Sequence, residues 1–415
     1  MNKIIVPLVL ALSLAACSKP SEQGSEQSGK TKSHKKHQPK ASSKNVDSES
    51  IYDSFIEQNG SYLEVDLLEE LQHNEKKNSN RNFASHLEYS LLSLSQDKNK
   101  DLYKSIEKEL KNKLKTAKKS KNYYQDKNTA ELAELLDIYS NAYSFLHSGD
   151  YRDEAEKVFV YIQNNLISPD GAFYASESDL SIYPDHNGLL IEALVNLYRK
   201  TMDTRYLEKA MRAADSIVAT KSFASDDVFM ASAFLSIYEA SASREWLARA
   251  KFTADYILKE SIRNEASKLS IANNIKFGRF LNKLYHYSTR KIYKVEAIQI
   301  LQHLSNDENV DLITKSEPGV LILNDELSSE PLHITIVGSK RALEARKLFK
   351  SALTSPLYYS RIEWFDSNEG RLLNHDVEYP NLEKPAAFTC KDSVCSMPIY
   401  KAKDLRDKVK LELKK

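Results

Sequence analysis

The sequence predicts a mainly α protein: an (α/α) toroid of about five to six helix hairpins, followed by a small C-terminal α/β subdomain. Three observations carry this. One helix-pair pattern is written twice between Leu189 and Leu258. Each copy has an apolar run (Leu189–Tyr198, Phe229–Tyr238), a short turn (Thr201-Met202-Asp203, Ser241-Ala242-Ser243) and a second helix containing Ala-Asp-x-Ile. An aromatic followed four residues later by Ala recurs as Tyr151/Ala155, Tyr206/Ala210, Trp246/Ala250 and Tyr293/Ala297, with Tyr103 and Glu107 a fainter copy. After about Lys315 the helical period gives way to short β-branched runs. A lone hairpin cannot bury its apolar face, so recurrence of this kind marks stacked units. A plain α-solenoid obeys the same logic and is the competing architecture.

Composition agrees. Ten glycines among 415 residues, with 23 tyrosines, suit helices with an aromatic-aliphatic core better than a turn-rich β protein. Lys+Arg 59 against Asp+Glu 58 leaves a net charge of +1, so no bulk field recruits nucleic acid.

The N-terminus reads as an export signal over residues 1–17: Lys3, the apolar run Ile4–Leu14, then Leu14-Ala15-Ala16-Cys17. The run is short of the roughly 20 residues that span a bilayer. Small residues directly before a cysteine resemble the lipobox of bacterial lipoproteins. That resemblance implies a lipidated Cys17, membrane attachment through the lipid, and, with Ser18 following, the periplasmic face of the outer membrane. Residues 18–50 are Ser, Lys, Gln and His with little apolar content, so they cannot bury enough surface to fold. As a coil they reach on the order of 30 Å. Lys30, Lys32, Lys35, Lys36 and Lys40 make this tether basic, a solvated spacer or an attraction to anionic headgroups.

Residues 51–310 carry the helical pattern. Leu67, Leu68 and Leu71 mark one amphipathic helix, and Phe83, Leu87, Leu91, Leu92 and Leu94 another. Leu102–Lys119 is Lys-rich, with Leu102, Ile106, Leu110 and Leu114 as a narrow apolar stripe. Glu131–Leu146 is more apolar, with Gly149 as a helix stop. His73-Asn74-Glu75 and His86-Leu87-Glu88 read as surface residues.

Residues 311–415 form the second part. Gly319–Leu323, Leu332–Val337 and Arg361–Phe365 read as strands and Arg341–Ala352 as a helix, giving a βαβ unit. Gly338-Ser339 at the head of that helix is one glycine, far from a phosphate-binding fingerprint. Cys390 and Cys395, in an exported chain, are expected to pair as a structural disulfide whose short loop contributes about 2 kcal/mol. A CxxC at a helix start, which an exchange-active pair wants, is absent.

Together the repeats and tail resemble the body of the thioredoxin-domain-containing proteins related to spermatogenesis-associated proteins, itself similar to six-hairpin glycosidases and sugar epimerases. The residues that carry this are Ser168-Pro169-Asp170-Gly171-Ala172-Phe173-Tyr174, Asn187-Gly188-Leu189, and Cys390, Cys395 and Pro398, within roughly Ala130–Asp407. No cysteine lies between Cys17 and Cys390, so the family's thioredoxin domain is missing, as is its Pro-His-Phe-Glu-Lys motif.

In toroids of this kind the ligand lies in a funnel formed by turns at one end of the inner helices. The resemblance therefore points to Glu177, Asp179, Tyr183, Asp185, His186 and Asn187 before one inner helix, and to Asp226 and Asp227 before the next. Asp179 or Asp185 as acid with Asp226 or Asp227 as base, Asp185 and Asp227 first among them, supplies the two carboxylates of glycoside hydrolysis. Asp and Asn are also preferred helix N-caps, and Asp185 and Asp226 stand where caps belong. No metal cluster, Walker loop, GxSxG or HExxH pattern is present, and no cofactor is implied. Two expectations result. One is a non-catalytic envelope lipoprotein binding a glycan, cell-wall fragment or protein partner. The other is a glycosidase- or epimerase-like enzyme, with a thiol-redox role as a third.

Overall fold

The computed structural model describes residues 62–63, 72, 83–96, 99–120, 122–219, 227–263, 269–305, 318–355, 357–374, 376–391 and 394–412. All belong to one compact unit, Gln58–Lys415. Cys17, the 18–50 segment, the helix expected around Leu67–Leu71, and Asp226 lie outside the described residues.

Five helix hairpins run in order: α1 (Phe83–Gln96) with α2 (Lys100–Lys119), α3 (Thr129–Leu146) with α4 (Gly149–Asn165), and α5 (Pro184–Thr201) with α6 (Thr204–Ala219). Then come α7 (Val228–Ser241) with α8 (Arg244–Arg263), α9 (Ile271–Ser288) with α10 (Lys291–Leu304), and a further helix α11 (Gly319–Ser328). The odd-numbered helices contact their neighbours in succession, and α11 meets α1. They form a closed inner ring of six, with the even-numbered helices outside. The (α/α) toroid is therefore the architecture, and the open solenoid is not.

The repeat has a local cause. Four inner helices end on a residue in the left-handed region: His147, Met202, Ala242 and Thr289, at φ 52° to 60°. Each such N–H bonds to the carbonyl four residues back, which is a tyrosine every time: Tyr143, Tyr198, Tyr238 and Tyr285. Four residues further on stands the buried aromatic of the outer helix, Tyr151, Tyr206, Trp246 or Tyr293, and four beyond that a fully buried alanine. The left-handed residue stops the helix and turns the chain back, and the small alanine lets the two helices close on the aromatic. Gly149 is not the stop. It is the first residue of α4, and His147 performs that role.

Gly319–Leu323, expected as a strand, opens α11 instead. The run is buried on every side, so its apolar residues show neither period, and a short continuous run cannot be told from a strand. The other expected elements form. Strands β1 (Leu332–Val337) and β2 (Ser360–Phe365) are parallel and joined by helix α12 (Leu343–Leu353). Strands β3 (Ala386–Lys391) and β4 (Val394–Cys395) complete a sheet of order β2-β1-β3-β4, and helix α13 (Ala402–Glu412) follows. Cys390 and Cys395 form a disulfide across the β3–β4 hairpin.

Alternation along β1 and β2 gives the sheet two faces. Ile334, Ile336, Ile362 and Trp364 pack under α12 and α13. His333, Thr335, Arg361 and Glu363 are buried on the other face, toward the ring. There Tyr238 of α7 donates to Glu363 at 3.4 Å, and the Ile362 N–H donates to the Tyr287 hydroxyl of α9 at 3.1 Å. Tyr359 sits between Asn282 and His286 of α9, 2.9 and 3.0 Å away. The sheet thus closes the end of the ring at which the inner helices finish.

Two histidines in this seam are held neutral. Burial drives His286 well below its ordinary pKa, aided by Lys294 and Arg361, although Glu330 stands 3.3 Å from Nδ1. Glu330 is half exposed and so a weak counter-charge, and burial wins. Burial also lowers His333, against the pull of Glu363. The unfolded chain takes up protons near pH 6.5 while the folded seam does not, so stability present at neutral pH falls as the pH drops through that value. The melting temperature is expected to decline from pH 7.5 to 5.5, and less steeply in His286→Gln. A slope equal to wild type would mean the seam opens and His286 titrates freely.

Candidate functional site

The rim at the N-terminal ends of the inner helices holds the expected site residues. Most are engaged in making the rim. Asn187 is fully buried in the first turn of α5. Its side-chain oxygen accepts the Phe173 N–H at 2.8 Å, and its amide donates to the carbonyls of Phe173 and Tyr183, both at 2.9 Å. Asn187 is thus the clamp that ties the 166–175 turn to the ring. Next to it, a β-carbon at Gly188 would lie 2.6 Å from the backbone carbon of Phe229, so only glycine lets α7 approach α5 this closely.

The carboxylates of the rim face backbone N–H groups. Asp227 is the N-cap of α7 and accepts from Met230 N–H at 2.9 Å. Asp185 is not a cap; it is the second residue of α5, behind Pro184, and accepts from the adjoining His186 N–H. Asp179 accepts from the Ser181 N–H, and the hydrogen bonds from Ser181 hold its pKa below the usual carboxylate range. Glu177 accepts from Tyr161 of α4 at 2.9 Å. Of the expected residues, Asp179, Tyr183 and His186 come together: the Tyr183 hydroxyl is 3.4 Å from Asp179, its ring 5.2 Å from that of His186. The His186 Nδ1 is buried without a hydrogen-bond partner.

The larger concentration of chemistry lies on the axis, where sequence reading did not place it. Arg279 of α9 forks onto Glu88 of α1 (2.6 and 3.0 Å) and Glu326 of α11 (2.7 and 3.0 Å). Lys276 pairs with Glu192 of α5, which also accepts from Ser232 of α7 at 2.6 Å. Lys283 and Arg199 share Glu239, 3.0 and 3.6 Å away. Asp137 of α3 accepts from Asn196 and Asn141 at 2.6 and 3.0 Å. Every inner helix contributes. Glu88, expected at the surface, is an axial residue, and its neighbour His86 is buried 3.8 Å from Glu109.

Protein surrounds Glu88 and Arg279 closely, yet 41% and 25% of their side-chain surfaces stay open to solvent. Both groups therefore stand among protein atoms and still reach solvent. Electrostatics differ along the axis. Burial pushes Glu88 up, but the charge and hydrogen bonds of Arg279 prevail and hold it low. Asp137 has only amides for partners, and burial pushes it up to about 6, with Glu88 and Glu192 adding to the rise. Burial lowers Lys200 to about 8, helped by Arg199. Chemically, the axis offers hydroxyls, amides and charges of both signs. A depression lined by Asp170, Glu208, Arg212, Asp215 and Ser216 lies on outer helix α6, away from this axis. Among the described residues no three His, Cys, Asp or Glu side chains group as a metal site.

The fold is distantly similar to that of several solved structures. Similar solved structures include a D-mannose isomerase (15% identity, 42% of this chain and 58% of that one, TM-score 0.37). A Listeria innocua protein matches at 13% identity (59% and 83%, TM-score 0.46), and a sugar epimerase from a ruminal bacterium at 15% (48% and 59%, TM-score 0.31). The chain spans 58% of the isomerase's length, and these likenesses concern the fold alone. No family model and no curated protein matches the sequence.

Asn187→Ala is expected to cost about 2–4 kcal/mol, since it strands two buried backbone groups of Phe173. Asp185→Ala, at an exposed position, should stay within about 0.5 kcal/mol of wild type in urea unfolding. Equal effects of the two would contradict the clamp.

Proposed function

We propose that this chain is an envelope lipoprotein, anchored through Cys17, whose toroid binds a glycan or cell-wall fragment at its axis. The observation that carries the reading is the set of polar side chains that the inner helices bring to the axis. Ser232, Ser236, Asn141 and Asn196 offer the hydroxyl and amide partners that sugar hydroxyls require, beside charges that suit the carboxylates and ammonium groups of cell-wall fragments. The sheet at the far end supports an entry from the rim. Binding without turnover is favoured because Asp179, Asp185 and Asp227 each accept a backbone N–H, and Glu88, Glu192 and Glu326 each hold a cation.

A second reading, a glycosidase- or epimerase-like enzyme, has one specific observation in favour: Asp137, pushed up to about 6, suits proton transfer near neutral pH. A thiol-redox role has less support, because Cys390 and Cys395 close a β-hairpin and do not sit at a helix start.

Muropeptides and envelope oligosaccharides are expected to raise the melting temperature saturably in wild type. Ser236→Tyr, which fills the axis, should remove that rise while leaving the unliganded melting temperature within a few degrees. A rise that survives Ser236→Tyr would move the site off the axis. Product formation lost in Asp137→Asn would establish the enzyme instead.

A further inference from the structure

Helix α2 carries a feature that glycan binding does not use. Its apolar side is committed: Ile106, Leu110, Leu114 and Ala117 are buried, and Tyr103 packs on Phe145 with ring centroids 4.9 Å apart. The opposite side is a row of lysines. Lys104, Lys108, Lys111, Lys115, Lys118 and Lys119 are all exposed. At 3.6 residues per turn they fall within an arc of roughly 100° and a length of about 22 Å. Lys111 pairs with Glu107 at 2.7 Å and Lys118 with Asp150 at 3.1 Å. The row therefore keeps a net positive face of four charges in a chain whose overall charge is only +1.

We propose that this lysine face of α2 is a docking surface for an anionic lipid bilayer. The geometry fits a plane. The helix is pinned along its apolar side, so the ammonium groups stand in one row on long stems that can reach headgroups together. The attractions of basic side chains to an anionic surface add, so a row held rigidly acts as one contact. Nucleic acid is disfavoured, because Tyr103, the one aromatic of α2, is packed on Phe145 and the helix is not free to enter a groove. The proposal does not depend on what the axis binds. It places the toroid's first hairpin against the membrane surface.

The test uses the full chain with Cys17→Ser, so that no lipid is attached, and vesicles of phosphatidylglycerol and phosphatidylcholine (3:7) or of phosphatidylcholine alone. The difference between the two vesicle types in co-sedimentation at 50 mM salt isolates the charge-dependent part. Lys104→Gln with Lys108→Gln, Lys115→Gln and Lys119→Gln is expected to lower that charge-dependent affinity at least tenfold, with an unchanged circular dichroism spectrum and melting temperature. A parallel variant carries Gln at Lys30, Lys32, Lys35, Lys36 and Lys40. If the α2 variant binds like wild type, whether or not the tether variant loses binding, the face is not a membrane surface. Binding of wild type to duplex DNA with no preference for anionic vesicles would overturn the proposal as well.

Discussion

The contact on which the ring depends is the fork of Arg279 onto Glu88 and Glu326. It joins the fifth inner helix to the first and the last, where the toroid closes on itself. A guanidinium suits the place because its planar donors serve two carboxylates at once and it does not lose its proton. Asn324 of the last helix adds a second tie, accepting the backbone N–H groups of Tyr62 and Leu63. Removing one member of such a set strands a surrounded charge, so these residues stand or fall together.

Around that polar axis the apolar core forms an annulus between inner and outer helices, which explains why the inner helices read as nearly apolar. α7 buries ten of its fourteen residues, and its axial positions Ser232, Ser236 and Glu239 are the few polar ones. The sheet repeats this arrangement on a smaller scale: one face is oil against α12 and α13, the other a buried polar seam against the ring. Burying His333, Arg361 and Glu363 is tolerable because each finds a charged or hydroxyl partner, with Asp376 completing the set at 3.0 Å from Arg361.

The toroid was legible because its repeat is local: the aromatic and alanine that close each hairpin lie on one helix, four residues apart. The βαβ unit was legible for the same reason, in Leu332–Val337 and Arg361–Phe365. The axis was not. Glu88, Glu192 and Arg279 lie on three different helices far apart in sequence, and only ring closure brings them together. The acidic turns serve the rim instead: Asp227 is a cap, Asn187 a clamp, and Asp185 is bonded to its own neighbour. The signal that could have found the axis is charged or amide residues recurring every three or four positions along the inner helices, as in Asp137 and Asn141, Glu192 and Asn196, and Lys276, Arg279 and Lys283. The α11 run misled because a helix buried on all sides has no polar face to reveal its period.

Ring closure has a consequence for how the molecule is made. The hairpins from α3 to α10 are each local and can form as they emerge during synthesis. The first hairpin, though, has its closing partner in α11, near the other end of the ring's sequence. Until that helix arrives, the Arg279 fork lacks Glu326 and the apolar side of α1 lacks one neighbour. The toroid therefore completes its cooperative core only when nearly the whole chain is present, and a chain cut short before α11 would be left as an open, sticky arc of hairpins.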